Sequence, residues 1–408
     1  MIPEPVARRA RWVLDTLGAG KLELGRELPY VAAAWDSVER GERPAGDALA
    51  EAFFHLARVE ERRAPRDEHG RFRAEWSRLD PLDPPLERLR RDLGLEPPRW
   101  GGGQFAVALT HDVDTPWRWT RPGLRGGASR LKRHVLAGRA APAVREARSL
   151  AAAPLHRLRG TDPNWRFEQL LEEERARDGS STFFVLAGHA DRHDGAAPET
   201  YDRLRPRLVH TVSEQGGEVA LHGSYRSADD PARLRREFDT LAEVMSVYTD
   251  ITRPLGHRYH YLRLDPHRNL RPLAELGLAY DTTLGFPDEV GFRAGIAHPF
   301  RPWDFARDEP LDLIEIPLAA MDATLAEERF LGLSAQVAWP RLERLLDWAA
   351  EHGGGFALLW HPDRFDPVTS AGWDRLYYRL LDEVRSRGGV LLSAGALADE
   401  ARLRLFES

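Results

Sequence analysis

The chain has 408 residues, a formal net charge of −6 and no cysteine. Without cysteine it forms no disulfides, thiolate nucleophiles or zinc fingers, so any metal site must use His, Asp or Glu ligands. The mild negative charge is not typical of a nucleic-acid-binding protein, and we expect no nucleic-acid partner.

No apolar run reaches the roughly 18 residues of a membrane span, so we expect no stable membrane insertion. The first twenty residues lack the sustained apolar core of a signal peptide. We therefore predict a cytoplasmic protein, and the sequence leaves its oligomeric state open.

Residues 1–100 are predicted to form a mainly helical region. Leu49, Ala52, Phe53 and Leu56 have the i, i+3, i+4, i+7 spacing of one helix face. A stretch rich in proline and charge then leads to three glycines at 101–103. We place a boundary there, which divides the chain into 1–100 and 101–408.

Short apolar runs bounded by turn residues or helical stretches characterise the rest of the chain. They lie at 105–110, 181–187, 217–222, 278–283, 312–317, 355–362 and 389–394. Runs of this kind suit parallel strands buried on both faces, and their alternation with amphipathic helices predicts an α/β fold. Polar residues end several runs, which favours a (β/α) barrel of about seven strands over a doubly wound sheet, because barrel sites form at the carboxyl ends of strands.

The stretch 120–160 is rich in arginine, and Glu146 is its only acidic residue. It is either a basic helical insertion over the barrel mouth, which we favour, or a patch that binds RNA or phosphate. If it faces the site, it could steer an anionic substrate.

The first chemical motif follows a strand that is almost wholly apolar. It contains His111, Asp112 and Asp114. Hydrolysis of an unreactive amide needs a metal and a base, and one carboxylate could serve each role. The alternative is a loop that begins with a capping Asp.

Two further motifs carry candidate ligands. His222 ends a buried run and precedes a glycine, a position from which a ring nitrogen can reach a metal. The segment 253–263 holds His257, Arg258 and His260. Either histidine could complete a metal site and Arg258 could hold a carboxylate or a substrate oxygen, unless the segment is an exposed loop.

His361 ends another apolar run, where it could protonate a leaving amine. It needs a carboxylate to fix its tautomer, and Asp281 is the candidate. Two signals are weaker. His189 and His193 have the i, i+4 spacing of helical metal ligands but lie in a predicted loop, and 291–304 is either a sugar-binding loop or an ordinary surface loop.

Taken in order, these motifs resemble the polysaccharide deacetylase superfamily (carbohydrate esterase family four). The matching segments are HDVD at 111–114, LHGSY at 221–225, RPLGHRYHY at 253–261, YDTTLGF at 280–286 and LLWHP at 358–362. The helical N-terminus is similar to a segment that precedes the barrel in a bacterial subgroup tied to surface-polysaccharide loci.

The resemblance implies a distorted barrel, a divalent ion such as Zn²⁺, and removal of an N-acyl group from an amino sugar or a surface-polysaccharide precursor. It implies that Asp112 is the base, that Asp114 and His222 bind the metal, and that His361 is the catalytic acid. Arg258 would tune the base. The family's second motif has another His where this chain has Arg226, so we predict His260 as the third ligand, because a guanidinium has no lone pair to give.

Two alternatives stay open. Arg226 is compatible with a metal-free carbohydrate-binding barrel. The adjacent His111 and Asp112 superficially suit a metal-dependent phosphohydrolase, and a cyclic amide or ureide is a possible substrate within the same superfamily.

Overall fold

The computed structural model describes residues 2–22, 25, 28–189, 191–195, 197–249 and 255–406. The helices are α1 (Glu4–Thr16), α2 (Ala32–Glu39), α3 (Ala48–Leu56), α4 (Pro85–Asp92), α5 (Arg121–Leu136), α6 (Ala140–Arg159), α7 (Phe167–Arg175), α8 (Pro198–Glu214), α9 (Pro231–Tyr248), α10 (Leu270–Glu275), α11 (Asp322–Ala326), α12 (Ala335–His352), α13 (Trp373–Ser386) and α14 (Ala394–Phe406).

The strands are β1 (Ala106–Val113), β2 (Thr182–Leu186), β3 (Glu218–Gly223), β4 (Gly256–Tyr259), β5 (Tyr280–Asp281), β6 (Trp303–Asp304), β7 (Glu309–Pro310), β8 (Ile314–Glu315), β9 (Leu318–Met321), β10 (Gly355–Leu359) and β11 (Val390–Leu392). Short 3₁₀ turns lie at Val59–Arg62, Ala74–Trp76, His260–Leu262 and Pro362–Phe365.

One parallel sheet organises the molecule. Its strand order is β8-β5-β4-β3-β2-β1-β10-β9, and β11 pairs with β1 beside β2. Strands β6 and β7 form a separate antiparallel pair. The parallel sheet curls into a half-barrel with helices around it, which confirms the predicted α/β barrel class. Its end strands β8 and β9 do not pair with each other among the described residues, so the barrel is open there.

The sheet's interior position explains its sequence. Every residue of β1, β2, β9 and β10 is buried, as expected for parallel strands covered on both faces. Each of the seven predicted apolar runs overlaps a strand. Strands β4 and β9 were not predicted: β4 contains His257, Arg258 and Tyr259 rather than an apolar run, and β9 follows β8 with almost no interruption.

The N-terminal region packs directly on the barrel. One apolar cluster contains Trp12 and Phe53 from this region together with Trp303 and Phe356 from the barrel. Trp12 also donates a hydrogen bond from Nε1 to the carbonyl oxygen of Arg301 at 3.0 Å. The first hundred residues therefore share a core with the half-barrel.

The segment 291–304 is largely buried and contacts the N-terminal region. Arg293 is fully buried and binds Glu61 of the N-terminal region through Nε at 2.8 Å and Nη2 at 2.6 Å. His298 is also buried, against Arg90 at 2.6 Å. The segment is therefore neither a surface loop nor a sugar-binding loop, and both interpretations are wrong. Its Arg293 and His298 instead bind residues of the N-terminal region.

The basic stretch is helical, as we favoured, and forms α5 and α6. Thr120 caps α5 by accepting a hydrogen bond from the backbone N–H of Gly123 at 3.0 Å. Across the described ranges, no helix is both long enough and apolar enough to cross a membrane.

Candidate metal and catalytic site

Residues at the carboxyl ends of neighbouring strands form the site. Strand β1 contributes Asp112 and leads into Asp114, β3 contributes His222, β4 leads into His260, and β10 leads into His361. Parallel strands end at one edge of the sheet, so these side chains meet although they are far apart in the sequence.

Asp114, His222 and His260 form a compact group of potential metal ligands. The Oδ1 atom of Asp114 lies 3.3 Å from His222 Nε2 and 3.4 Å from His260 Nε2. One ligand atom from each residue lies within 4.8 Å of the other two. The structure therefore places His260, the predicted third metal ligand, beside Asp114 and His222.

Two buried atoms of this group have no hydrogen-bond partner among the described residues: His222 Nε2 and Asp114 Oδ1. Buried polar atoms without partners destabilise a fold, so they indicate a place for a ligand. Two imidazoles and one carboxylate are a donor set that suits Zn²⁺ and other divalent ions. The residues present thus fit the metal that the sequence predicts.

Hydrogen bonds fix both histidine rings. His222 Nδ1 lies 2.9 Å from the carbonyl oxygen of Arg258, and His260 Nδ1 lies 3.0 Å from Oδ1 of Asp194. Donation from each Nδ1 leaves the lone pair of Nε2 directed at the cluster. Asp194 is fully buried and also accepts from the backbone N–H of Tyr225 at 2.6 Å.

The electrostatics of the cluster favour positive charge. Burial lowers the pKa of His260, but the carboxylates of Asp114 and Asp194 outweigh burial and raise this pKa to about 9. Burial raises the pKa of Asp114, whereas His260 and His222 hold it well below its usual value.

Asp112 lies beside the cluster and is held by Arg258. The Nη1 atom of Arg258 donates to Oδ1 of Asp112 at 2.8 Å and to the Thr110 hydroxyl at 2.9 Å. The guanidinium is fully buried, 4.4 Å from the centre of the Phe184 ring. Oδ2 of Asp112 is left 3.6 Å from His222 Nε2, on the side where a metal would lie.

The carboxylate behind His361 is Asp322. His361 Nδ1 lies 2.6 Å from Asp322 Oδ1, and the other oxygen accepts from Arg364 Nε at 2.9 Å. The Nε2 atom of His361 is 3.7 Å from Asp114 Oδ2, so the ring faces the cluster. Burial lowers the pKa of His361, but Asp322 and then Asp114 more than offset burial and raise it to about 10.

The prediction that Asp281 orients His361 is therefore wrong. Asp281 lies on β5, where it is 2.7 Å from Nδ1 of the neighbouring His257 and accepts from the Thr283 hydroxyl at 2.8 Å. It is fully buried, and its partners lie on β4 and β5 rather than beside β10.

Three other candidate residues do not belong to the group of potential metal ligands. Arg226 is largely exposed and binds Oδ2 of Asp191 at 2.8 Å. His193 binds the other oxygen of Asp191 at 2.6 Å, and His189 Nδ1 lies 2.8 Å from the carbonyl oxygen of Asp194. Residues 253 and 254 of the third motif lie outside the described residues.

His111 faces the opposite side of β1 from Asp112. Its ring nitrogens lie 2.8 Å from Glu174 Oε1 and 2.6 Å from the carbonyl oxygen of Trp360. Because both nitrogens have partners and the strand alternates, His111 and Asp112 do not form one metal-binding pair.

A cavity of about 130 Å³ opens over the cluster. Its walls include Asp112, Asp114, His260 and His361. The N-terminal region contributes Arg71 to the same cavity, and the segment after α11 contributes Glu327, Arg329 and Phe330. The carboxylate of Asp112 and the imidazole of His361 both line this space.

Sequence reasoning missed Asp194 and Asp322. Asp322 directly follows the last residue of β9, so it carried the same strand-end signal that identified the other site residues. Asp194 lies in an irregular segment between β2 and α8, and no pattern distinguished it from other loop carboxylates.

No family model matches the chain, and no curated protein matches it. Among solved structures it is similar to a protein from Mycobacterium smegmatis named as a polysaccharide deacetylase, with 18% identity over 76% of this chain and 94% of that chain and a TM-score of 0.49. It is also similar to Puue allantoinase, with 17% identity over 76% and 95% of the two chains and a TM-score of 0.48.

A third similar structure is a protein from Pseudomonas aeruginosa PAO1 named as a polysaccharide deacetylase. The identity is 16% over 75% of this chain and 94% of that chain, with a TM-score of 0.47. Two of these three proteins thus carry the name of the superfamily that the motifs resemble. Such distant similarity carries no argument for activity, which must come from the site itself.

Proposed function

We propose that this chain is a metal-dependent hydrolase of the polysaccharide deacetylase superfamily that removes an N-acyl group from an amino sugar or a surface-polysaccharide precursor. One observation carries the proposal. Two imidazole nitrogens and a carboxylate converge beside a cavity that has an Arg-held carboxylate and an Asp-held imidazole in its walls.

In this proposal Asp114, His222 and His260 hold a divalent ion, with Zn²⁺ as the predicted metal. When bound, such an ion supplies Lewis acidity for the acyl carbonyl and for water. The hydrogen bonds from His222 and His260 to Arg258 O and Asp194 keep both Nε2 atoms available to it.

Asp112 acts as the base. Its Oδ1 is held by Arg258, so Oδ2 is positioned to take a proton from water as water attacks the acyl carbon. The buried guanidinium fixes the orientation of the Asp112 carboxylate through this hydrogen bond.

His361 acts as the acid. Its Nδ1 is held by Asp322, so the proton on Nε2 faces the cavity and can pass to the amine nitrogen as the carbon–nitrogen bond breaks. Against the effect of burial, Asp322 raises the pKa of His361, which favours the protonated ring that an acid requires. Zinc as the ion and the cytoplasm as the compartment stay predictions from the sequence.

The test is to measure divalent metal by elemental analysis and acetate release from N-acetylated amino-sugar oligomers. We expect about one ion per chain, lost in Asp114→Ala, His222→Ala and His260→Ala. Asp112→Asn should retain the ion and lose acetate release by about 10²- to 10⁴-fold. His193→Ala is the matched control, since it removes a nearby histidine outside the cluster and should retain both ion and activity.

Other outcomes would contradict the proposal in different ways. A protein that binds no ion after Zn²⁺ is supplied, yet binds sugar, would be a carbohydrate-binding barrel. A protein that binds the ion but cleaves a phosphoester or a cyclic amide instead would be a metal-dependent hydrolase of another class.

A further inference from the structure

Helices α5 and α6 form an antiparallel pair that we call the basic hairpin (121–159). Its sequence contains ten arginine and lysine residues and one acidic residue, Glu146. The hairpin lies between β1 and α7 and packs mainly on itself, helix against helix. This concentration of one charge contrasts with the whole chain, whose net charge is negative.

Most of this positive charge has no ion-pair partner among the described residues. Glu146 is buried and binds Arg118 at 2.8 Å and Arg130 at 3.0 Å. At the tip, Arg139 binds Glu328. In the part of the chain that the structure describes, the remaining cations of the hairpin form no ion pair; these are Arg121, Arg125, Lys132, Arg133, Arg145, Arg148, Arg157 and Arg159.

The hairpin also exposes large apolar side chains. Among described residues, five of the nine large hydrophobic residues that are exposed belong to it: Val135, Leu136, Val144, Leu155 and Leu158. Leu136 is 76% exposed and Leu158 is 85% exposed. The concentration is local, which distinguishes it from the scattered apolar residues of an ordinary surface.

The apolar residues face outward because the inner face requires small ones. Buried positions of the hairpin include Gly127, Ala143 and Ala153. A Cβ at Gly127 would lie 2.8 Å from a side-chain carbon of Leu150, so the helices approach closely there. On α6, Val144, Leu155 and Leu158 are separated by eleven and three residues, which places them along one helical face.

The hairpin lies at the rim of the catalytic cavity. Arg139 contacts Glu328, whose neighbours Glu327 and Arg329 line that cavity. A second cavity of about 390 Å³ lies between the hairpin and the residues that follow His361; Arg130 lines one side, and Asp363 and Arg364 line the other. A surface bound by the hairpin would therefore lie next to the site.

We propose that the basic hairpin docks this protein on an anionic phospholipid surface. The unpaired cations would bind lipid phosphates, and Val135, Leu136 and Leu158 would enter the boundary between headgroups and acyl chains. Charge complementarity and exposed apolar residues on the same helices are the two requirements for such interfacial binding. The inference does not rest on the proposed hydrolase activity.

The test is flotation of the purified full chain with vesicles of neutral phosphatidylcholine, or of phosphatidylcholine mixed with anionic phosphatidylglycerol. We expect binding to the mixed vesicles only, with binding weakened by added salt because the attraction is electrostatic. Lys132→Glu with Arg133→Glu, and separately Leu136→Ser with Leu158→Ser, should each weaken binding at least tenfold. All four positions are exposed, so the variants should retain the wild-type melting temperature.

Matched controls lie elsewhere on the surface. Val337→Ser with Leu403→Ser removes two residues that are each 59% exposed and lie outside the hairpin. Arg236→Glu reverses an exposed charge on α9. These variants should bind like the wild type. Failure of the wild type to bind anionic vesicles, or equal losses in hairpin and control variants, would overturn the proposal, and so would concentration-dependent self-association that Leu136→Ser abolishes.

Discussion

Two buried charged clusters in this protein differ in how completely their atoms are paired. At the contact between the N-terminal region and the barrel, Glu61 is fully buried and each carboxylate oxygen accepts two hydrogen bonds from arginines. Burial raises the pKa of Glu61, but Arg293 and Arg58 outweigh it and hold that pKa well below its usual value.

At the carboxyl ends of the strands, by contrast, Asp114 Oδ1 and His222 Nε2 are buried with no hydrogen-bond partner among the described residues. A complete network stabilises one conformation, whereas atoms left without partners beside a cavity are available to a ligand. The difference indicates that the first cluster stabilises the fold and that the second is a ligand-binding site. Four predictions test this contrast, from the largest expected effect to the smallest.

Glu61→Gln should lower the free energy of unfolding by about 3–5 kcal/mol, because it leaves the buried guanidinium of Arg293 without its counter-charge and leaves Arg58 with Glu60 alone. Urea denaturation measures this loss. Glu42→Gln is the control, since it breaks an exposed pair with Arg40 and should change stability by less than about 1 kcal/mol. Equal effects of the two variants would contradict a structural role for Glu61.

Asp322→Asn should lower kcat for acyl removal by about 100-fold, with KM little changed. The amide no longer fixes the His361 tautomer that presents a proton to the cavity. Asp281→Asn distinguishes the two candidates for this role: it should lower stability through His257 and leave kcat within a few-fold of the wild type. The reverse pattern would return the orienting role to Asp281.

Asp194→Asn should weaken metal binding by about 10- to 100-fold, because the hydrogen bond that orients His260 is altered. Competition with a chromogenic chelator measures the affinity without any need for activity. Asp191→Asn is the matched control; that carboxylate binds Arg226 and His193 outside the cluster and should leave the affinity unchanged. Unaltered affinity in Asp194→Asn would remove Asp194 from the site.

His55 should make folding sensitive to mild acid. Burial, reinforced by the positive charge of Arg58, lowers the pKa of His55 from 6.5 to about 3. Below about pH 6.5 the His55 ring takes up a proton in the unfolded chain but not in the folded chain. The free energy of unfolding therefore falls as the pH is lowered from 6.5 towards 3.

Between pH 7.5 and 5.0, His55→Asn should therefore lose about 1–2 kcal/mol less stability than the wild type. Urea denaturation at both pH values provides the measurement. His210→Asn, which replaces an exposed histidine on α8, should leave the wild-type pH dependence unchanged. Parallel losses in wild type and His55→Asn would show that His55 is not the sensitive group.

The sequence predicted the strand-end residues because a polar side chain after an apolar run is a local signal. It did not determine which strand ends are neighbours. The sheet pairs His257 with Asp281 and Leu359 with Met321, so Asp281 meets His257 while Asp322 meets His361. That pairing depends on register across the whole sheet, which no short motif records.

The N-terminal region shows the same limit. Helical periodicity was sufficient to predict α3, but not that Glu61 would meet Arg293 more than two hundred residues later. A charged residue in a loop-like segment is usually exposed, so burial of this pair became evident only from the packing of the two regions.

The position of β1 has a consequence for biosynthesis. This strand is translated before β10 and β11, yet Ala106 at its start pairs with both Gly355 and Val390. Until those later segments are translated, β1 lacks two of its three neighbouring strands, and contacts so distant in sequence form slowly. We expect nascent chains that end before β10 to depend on chaperones, and truncated products to lack a formed active centre although they contain Asp112, Asp114, His222 and His260.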